Sequence, residues 1–512
     1  MRAKTLMIQG TGSSVGKSLI TAGLCRLFSR QGLRVAPFKS QNMSLNSFVT
    51  REGHEMGRAQ AVQAEAAGID PSARMNPILL KPSADHVSQV IVNGRVRAVM
   101  SARDYYAFRH SLRDEVMQSF NELAARHDLI IIEGAGSPAE INLRENDLAN
   151  MGMAAMADAP VLLAGDIDRG GVFASLYGTV KLLEPHEQRR VRGLIVNKFR
   201  GDVSILEPGL RQLEGLLGLP VLGVLPYQRF LIDEEDSLTD RLGNGPDSAP
   251  ASDYNRLDIA VIRLPRLSNF TDFAVFDSLP DVSLRYVDHP TSLSRPDLLI
   301  IPGSKSTLED MRFLEQSGLA PAILDLHAGE TPIIGICGGF QMLGRSISDP
   351  MGVESSQGHI HGLGLLPLDT SFSSEKRTVQ TSLTVSADKG ILRGTRGMVL
   401  TGYEIHMGQS KPARDFHAKG ASALGLSPEG QPEGAVNANG NVFGAYLHGL
   451  FDNLAFTRAL LDNLRPAGNH PAPDVPPPDY ADLRHREYDR LADMIESHLD
   501  IPRLRRIIEE WS

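Results

Sequence analysis

A chain of 512 residues is longer than one hydrophobic core ordinarily serves, so two or three domains are expected. Its net charge of -9 and the absence of any Lys/Arg run exclude the electrostatic footprint of a nucleic-acid or anionic-lipid binder, so an anionic substrate has to be held by local groups. Only two cysteines, Cys25 and Cys337, exclude a disulfide framework and a multi-cysteine metal site and fit a reducing, cytoplasmic setting.

The N-terminal stretch MRAKTLMIQG has no cleavage-site pattern, and no apolar run has the length of a membrane span. Apolar runs then alternate with amphipathic ones, which predicts an α/β domain with a mostly parallel sheet. The predicted strands are Thr5–Ile8, Val35–Phe38, Leu129–Ile132, Val161–Ala164, Gly193–Val196 and Val221–Val224. Helical stretches lie between them at Ser18–Arg30 and Asp104–Arg126. This first domain is expected over 1–235. The polar, Gly/Pro/Ser-containing stretch 236–255 reads as a linker.

A second α/β series follows over 256–465, with strands Leu257–Ile262, Leu298–Ile301, Ile333–Ile336 and Val442–Ala445. Beyond it, over 466–512, a Pro-rich segment (NHPAPDVPPPD) leads into a helical tail at Tyr480–Ser512. Two doubly wound α/β domains are therefore predicted.

The first strand runs into GTGSSVGKS, residues Gly10, Thr11, Gly12, Ser13, Ser14, Val15, Gly16, Lys17 and Ser18, and then into a helix. Small residues let backbone N–H groups turn toward phosphates at a helix start, Lys17 neutralises the outer phosphates of ATP, and the Ser18 hydroxyl ligates Mg²⁺. The spacing departs from the usual phosphate loop, because Thr11 stands where its first glycine belongs. Glu133 follows the strand in HDLIIIEGAG, at the strand end where a Mg²⁺ ligand belongs. Asp166 and Asp168 follow the next strand in DIDRGGVFAS and are assigned to substrate or metal. Lys39, Gln41, Asn42 and Asn46 follow the second strand on the same edge and are assigned to substrate. Asn197 and Lys198 end another strand and either read the base or support the phosphate site.

In the second domain, PIIGICGGFQMLG puts Cys337 between a strand and a helix among glycines that permit a strained turn, the setting of a nucleophile elbow. Backbone N–H groups at Gly338 and Gly303 are expected to form an oxyanion hole. The general base is assigned to His448 in YLHGLFD, with His406 in GYEIHMG as the rival, and Cys25 reads as a buried hydrophobe within its helix.

The elbow with a late histidine resembles the class I glutamine amidotransferase domain. The loop with IIEGAG resembles the dethiobiotin synthetase-like branch of phosphate-loop proteins. With FKSQNMSLNS, MNPILLKP, DIDRGGVFAS, PGSKST, GYEIHMG and YLHGLFD, the whole chain resembles the cobyric acid synthase family. That resemblance implies an ATP- and Mg²⁺-dependent ligase that takes ammonia from glutamine and amidates four carboxylates of a corrinoid, adenosylcobyrinic acid a,c-diamide. It implies neither a nucleic-acid nor a membrane partner, and no oligomeric state. Amidotransferases commonly continue His-x-Glu, whereas this chain reads His448, Gly449, Leu450, which leaves the third group of the site open and predicts weak glutamine hydrolysis without ATP and acceptor. Two other readings are the sister cobyrinate a,c-diamide synthase family and the partitioning ATPases. FKSQNMSLNS and DIDRGGVFAS speak against the first, and the Cys337 elbow against the second.

Overall fold

Strand Lys4–Gly10 is apolar over Leu6–Ile8 and buried on both faces, as a central parallel strand must be. In the computed structural model, which describes residues 3–84, 87–145, 147–232, 256–355, 358–465 and 479–511, it lies within a six-stranded parallel sheet. The order is Val221–Pro226, Val191–Phe199, Val161–Asp166, Lys4–Gly10, Leu129–Glu133 and Val35–Phe38. Because every pairing is parallel, the strands end on one edge, where Ile8 lies beside Glu133, Gly10 beside Ala164 and Asp166 beside Asn197. Ligands of open α/β sheets bind at such an edge.

The second sheet runs Val282–Val287, Leu257–Ile262, Leu298–Ile301, Ile333–Ile336, Val442–Ala445 and Ala435–Val436, with only the last pairing antiparallel. All ten predicted strands are present, extended by a few residues at most. The predicted linker and Pro-rich segment lie outside the described residues.

Two insertions, one a mixed sheet and one an antiparallel ribbon, were not anticipated. Gln41–Met43, Ile78–Ala84, Val87–Val92 and Arg95–Ser101 form a small sheet in the first domain. In the second, Leu368–Val385 pairs with Val399–Pro412 as a long ribbon. Its middle, SSEKRTVQTS, is polar on both faces and half exposed, so it carries little hydrophobic alternation from which to read a strand.

The amphipathic stretch Asp104–Arg126 is not one helix. It breaks into helices Ala102–Phe108 and Arg113–Ala124 around a 3₁₀ turn at Arg109–Leu112. The break turns Arg109 inward, where its guanidinium stacks on Tyr106 and binds the carbonyls of Leu143 and Glu145.

The tail forms helices Tyr480–His498 and Ile501–Glu510 and returns to the first domain. Tyr488, Leu491 and Ile495 are almost fully buried against helix Lys17–Arg30, each stabilising the contact by about 1.5–3 kcal/mol. Gly23 permits this close crossing, since a methyl group there would collide with Ile495. Arg26 with Asp489 (2.9 Å) and Arg30 with Asp493 (2.6 Å) fix the register.

Candidate active sites

The phosphate loop closes without its first glycine because the neighbours of Thr11 take over. A Cβ on Gly10 would strike the Val15 side chain, and the Gly12 carbonyl accepts from Lys17 Nζ at 2.8 Å. Thr11 itself only donates its N–H to Ala164 in the adjacent strand. Ser14 and Gly16 take left-handed conformations (φ 57° and 94°), which reverses the chain ahead of the helix. Asn197 Nδ2 donates to the Val15 carbonyl at 2.8 Å, and Lys198 Nζ to that of Ser14 at 2.7 Å. Of the two roles considered for Asn197, the geometry is that of supporting the loop.

Glu133 is the hub of this edge. It accepts from Ser18 Oγ (2.8 Å), Lys39 Nζ (2.9 Å) and Gln63 Nε2 (2.5 Å). Burial alone would raise its carboxyl. The Lys39 ammonium and the three donated hydrogen bonds outweigh burial and hold it below the usual carboxylate range. Two hard oxygens side by side, the Ser18 hydroxyl and the Glu133 carboxylate, are the donor class that Mg²⁺ takes. Among the described residues no group of three His, Cys, Asp or Glu side chains gathers to cage a metal.

A cavity of about 500 Å³ opens over this loop. Lys17, Ser18, Lys39, Asn42 and Glu133 form its polar wall, while Tyr227, Phe230 and the tail residues Leu491, Met494 and Ile495 form the apolar one. The tail thus belongs to the nucleotide side of the molecule, a role that its sequence did not disclose.

Of the other residues assigned to substrate, Gln41 accepts from the Tyr105 hydroxyl (2.6 Å) and Asp168 pairs with Arg200 (3.0 Å). Asp166 is buried against Lys198 (3.2 Å) and holds the Asp168 N–H. Asn46 sits at the contact between the two domains. Its Oδ1 accepts from the Phe270 N–H of the second domain at 3.1 Å, because the turn at Ser44 aims it at the domain junction instead of the cavity. Cys25 is fully buried, and burial with the nearby Glu133 charge pushes its thiol up, consistent with an inert hydrophobe.

In the second domain Cys337 has φ 51° and ψ -106°, a strained turn between strand Ile333–Ile336 and helix Gly338–Leu343. The surrounding glycines allow it. A Cβ on Gly338 would lie 2.8 Å from Ser304 N, one on Gly303 3.3 Å from His448 Cε1, and one on Gly339 would sit on the Ile301 carbonyl. The loop after Leu298–Ile301 is thereby pressed against the elbow.

His448 is fully buried, and the Cys337 sulfur is among the groups that act on its ring, while Sγ itself points to the Ile405 carbonyl at 3.8 Å. The rival His406 is engaged elsewhere, by Gly408 O (2.8 Å), by Glu404 and by stacking on Tyr446. Where the sequence left the third group open, Asp272 lies against the ring. Its Oδ2 lies 2.7 Å from His448 Nδ1, and its Oδ1 accepts the Gly449 N–H at 3.0 Å. Sequence reasoning missed it because 176 residues separate the pair. The one usable signal was that SNFTDF follows a strand of the same sheet edge. Burial would lower the His448 imidazole, but Asp272 and the Cys337 sulfur overcome it and hold the ring at about 10.

Two expectations follow. Asp272→Asn should lower glutamine hydrolysis by about 10²-fold while leaving the fold intact, because the imidazolium and its tautomer lose their partner; steady-state glutaminase assays check it. A histidine raised in the folded state stabilises fully below its unfolded value of 6.5 and loses that contribution as pH rises through about 10. The urea midpoint of the native chain relative to His448→Gln should therefore be highest at pH 6 and converge toward pH 10.

Fold and geometry together define a protein that pairs a phosphate-loop nucleotide site with a cysteine–histidine amidotransferase site in one chain. The comparisons agree: residues 6–238 match the CobQ/CobB/MinD/ParA nucleotide binding domain, and residues 258–456 match the CobB/CobQ-like glutamine amidotransferase domain. Cobyric acid synthase of Yersinia enterocolitica is 50% identical over 99% of this chain and 98% of its own length. That of Alkaliphilus metalliredigens is 50% identical over 98% and 99%. The chain belongs to the cobyric acid synthase family. It is a glutamine amidotransferase and ligase of cobalamin biosynthesis. No helix among the described residues is long and apolar enough to cross a membrane.

Proposed function

We propose that this chain converts adenosylcobyrinic acid a,c-diamide to adenosylcobyric acid in the cytoplasm by amidating its b, d, e and g carboxylates with ammonia from glutamine. The observation that carries the reading is the presence of both sites in one chain, joined across a buried junction. Cys337 attacks the side-chain amide of glutamine, and the His448 imidazolium gives a proton to the departing ammonia. A glutamyl thioester forms, and water later releases glutamate from it. The N–H groups at Gly338 and Gly303 take the developing oxyanion.

A carboxylate is too poor an electrophile for ammonia. In the first domain it therefore attacks the γ-phosphorus of ATP, with Lys17 and the loop N–H groups holding the phosphates, and ADP leaves. Ammonia adds to the acyl phosphate, and inorganic phosphate departs as the amide forms. Ser18 and Glu133 would hold Mg²⁺, which when bound offsets charge on the phosphates. Lys39 and Asn42, on the cavity wall, face the acceptor.

Mass spectrometry of the product formed from ATP, Mg²⁺, glutamine and the a,c-diamide tests this reading. Four successive exchanges of acid for amide are expected. Turnover of the diacid precursor instead would assign the chain to the sister activity, with the two-site chemistry intact.

A further inference from the structure

Ser47 of the first domain is fully buried, and through its backbone it reaches the histidine of the second. Its N–H donates to Asn269 Oδ1 at 2.9 Å, and its carbonyl accepts from the Tyr403 hydroxyl at 3.0 Å. These two partners flank the His448 ring. Tyr403 stacks on it, with centroids 5.2 Å apart and planes inclined by 20°. Asn269 Nδ2 lies 3.2 Å from Nε2 and 3.4 Å from Nδ1. Such nearly equal distances place the amide against the ring, not in line with one lone pair, so Nδ1 stays with Asp272. Asn46, one residue earlier, accepts the Phe270 N–H and so pins the turn Phe270–Phe273 that carries Asp272. One segment of the synthetase domain therefore bonds to Asn269, to Tyr403 and to the turn that carries Asp272.

Ser47 is itself held from both domains. Its hydroxyl donates to Glu55 (2.7 Å) and accepts from Lys81 (2.8 Å), and Glu55 also pairs with Lys376 of the second domain (2.5 Å). At the other end of the same segment, Lys39 is the buried counter-charge of Glu133, and Asn42 is bonded to Gln60 on the helix that also sends Gln63 to Glu133. Phosphates arriving beside Lys17 and Lys39 change the charge balance around Glu133, and with it the anchor of the segment.

We infer that residues 39–47 couple the two active sites: nucleotide and acceptor bound at Lys39 and Asn42 set Asn46 and Ser47, which set His448 and Asp272 for attack on glutamine. This rests on the proposed Cys337–His448 pair. Asn46, Ser47, Asn269 and Tyr403 are positioning residues. The weak hydrolysis expected without ATP and acceptor then has a different origin from a missing third group, since Asp272 supplies that group.

The test compares glutamine hydrolysis by the full chain with and without ATP plus adenosylcobyrinic acid a,c-diamide, in the native protein, Tyr403→Phe and Asn46→Ala. The native enzyme should be stimulated by about 5- to 150-fold. Tyr403→Phe keeps the ring but loses the bond to Ser47, so it should keep ammonia-driven synthesis while the stimulation falls toward unity through kcat, with KM for glutamine little changed. Asn46→Ala should do the same. Equal native rates with and without ATP and acceptor would overturn the proposal, as would native-like stimulation in Tyr403→Phe. A raised acceptor KM in Asn46→Ala with its stimulation intact would return Asn46 to the substrate site and also overturn it. Should Asn46→Ala lose ammonia-driven synthesis, Tyr403→Phe decides alone. Failure of the nucleophile assignment itself shows separately, as glutamine-dependent synthesis that survives Cys337→Ser.

Discussion

Cys337→Ser is expected to reduce glutamine-dependent synthesis by about 10⁴-fold or more while synthesis from added ammonia continues. The serine hydroxyl fits the same strained turn, so the elbow, its glycines and the contact with His448 remain. What disappears is the sulfur nucleophile beside His448. The hydroxyl is a far weaker acid and a poorer nucleophile than a thiol. The synthetase cavity lies in the other domain and is lined by none of the elbow residues, so ammonia in solution bypasses the lesion. Parallel assays with glutamine and with ammonium at raised pH read both arms. Undiminished glutamine-dependent synthesis would remove Cys337 from the mechanism.

Lys17→Ala should abolish both arms together, by about 10³-fold each. Lys17 is buried, and its ammonium bonds the Gly12 carbonyl at 2.8 Å and that of Gly136 at 3.2 Å, so it ties the phosphate loop to the turn after Glu133. Its loss takes away a preorganised positive charge at the phosphates and a cross-link of the loop. Every amide then lacks its acyl phosphate, whatever the source of ammonia. Under the coupling inferred above, hydrolysis of glutamine in this variant should also stay at the rate seen without ATP. Ammonia-driven and glutamine-driven synthesis, measured with a glutaminase assay on the same preparation, check all three. The pattern complements that of Cys337→Ser, and the pair separates the two chemistries.

The elements that carry these groups were legible because local chemistry dictates them. A buried parallel strand must be a short apolar run, and a turn that faces phosphate or exposes a nucleophile needs glycines. Hence the ten core strands and the turns at GTGSSVGKS, Glu133 and Cys337 could be read directly, and His448 was preferred to His406 by its place just past a strand in the last third of the domain. The polar ribbon Leu368–Val385 with Val399–Pro412 could not, since its sequence has no buried face over much of its length. The tail was visible as helix, but the surface it covers was not.

The amino-acid sequence by itself determined two α/β domains, their two chemistries and the glycine-rich turns after their strands, because those depend on neighbours within a few positions. Only the tertiary structure decided that Asp272 lies against His448, that Asn46 bonds across the domain junction, and that Leu491 and Ile495 wall the cavity over the phosphate loop. Each of these is a contact between segments far apart in the chain. Side-chain reach is a few ångströms, so such partners are chosen by how the sheets bring their edges together and leave no periodicity or spacing in the sequence to read.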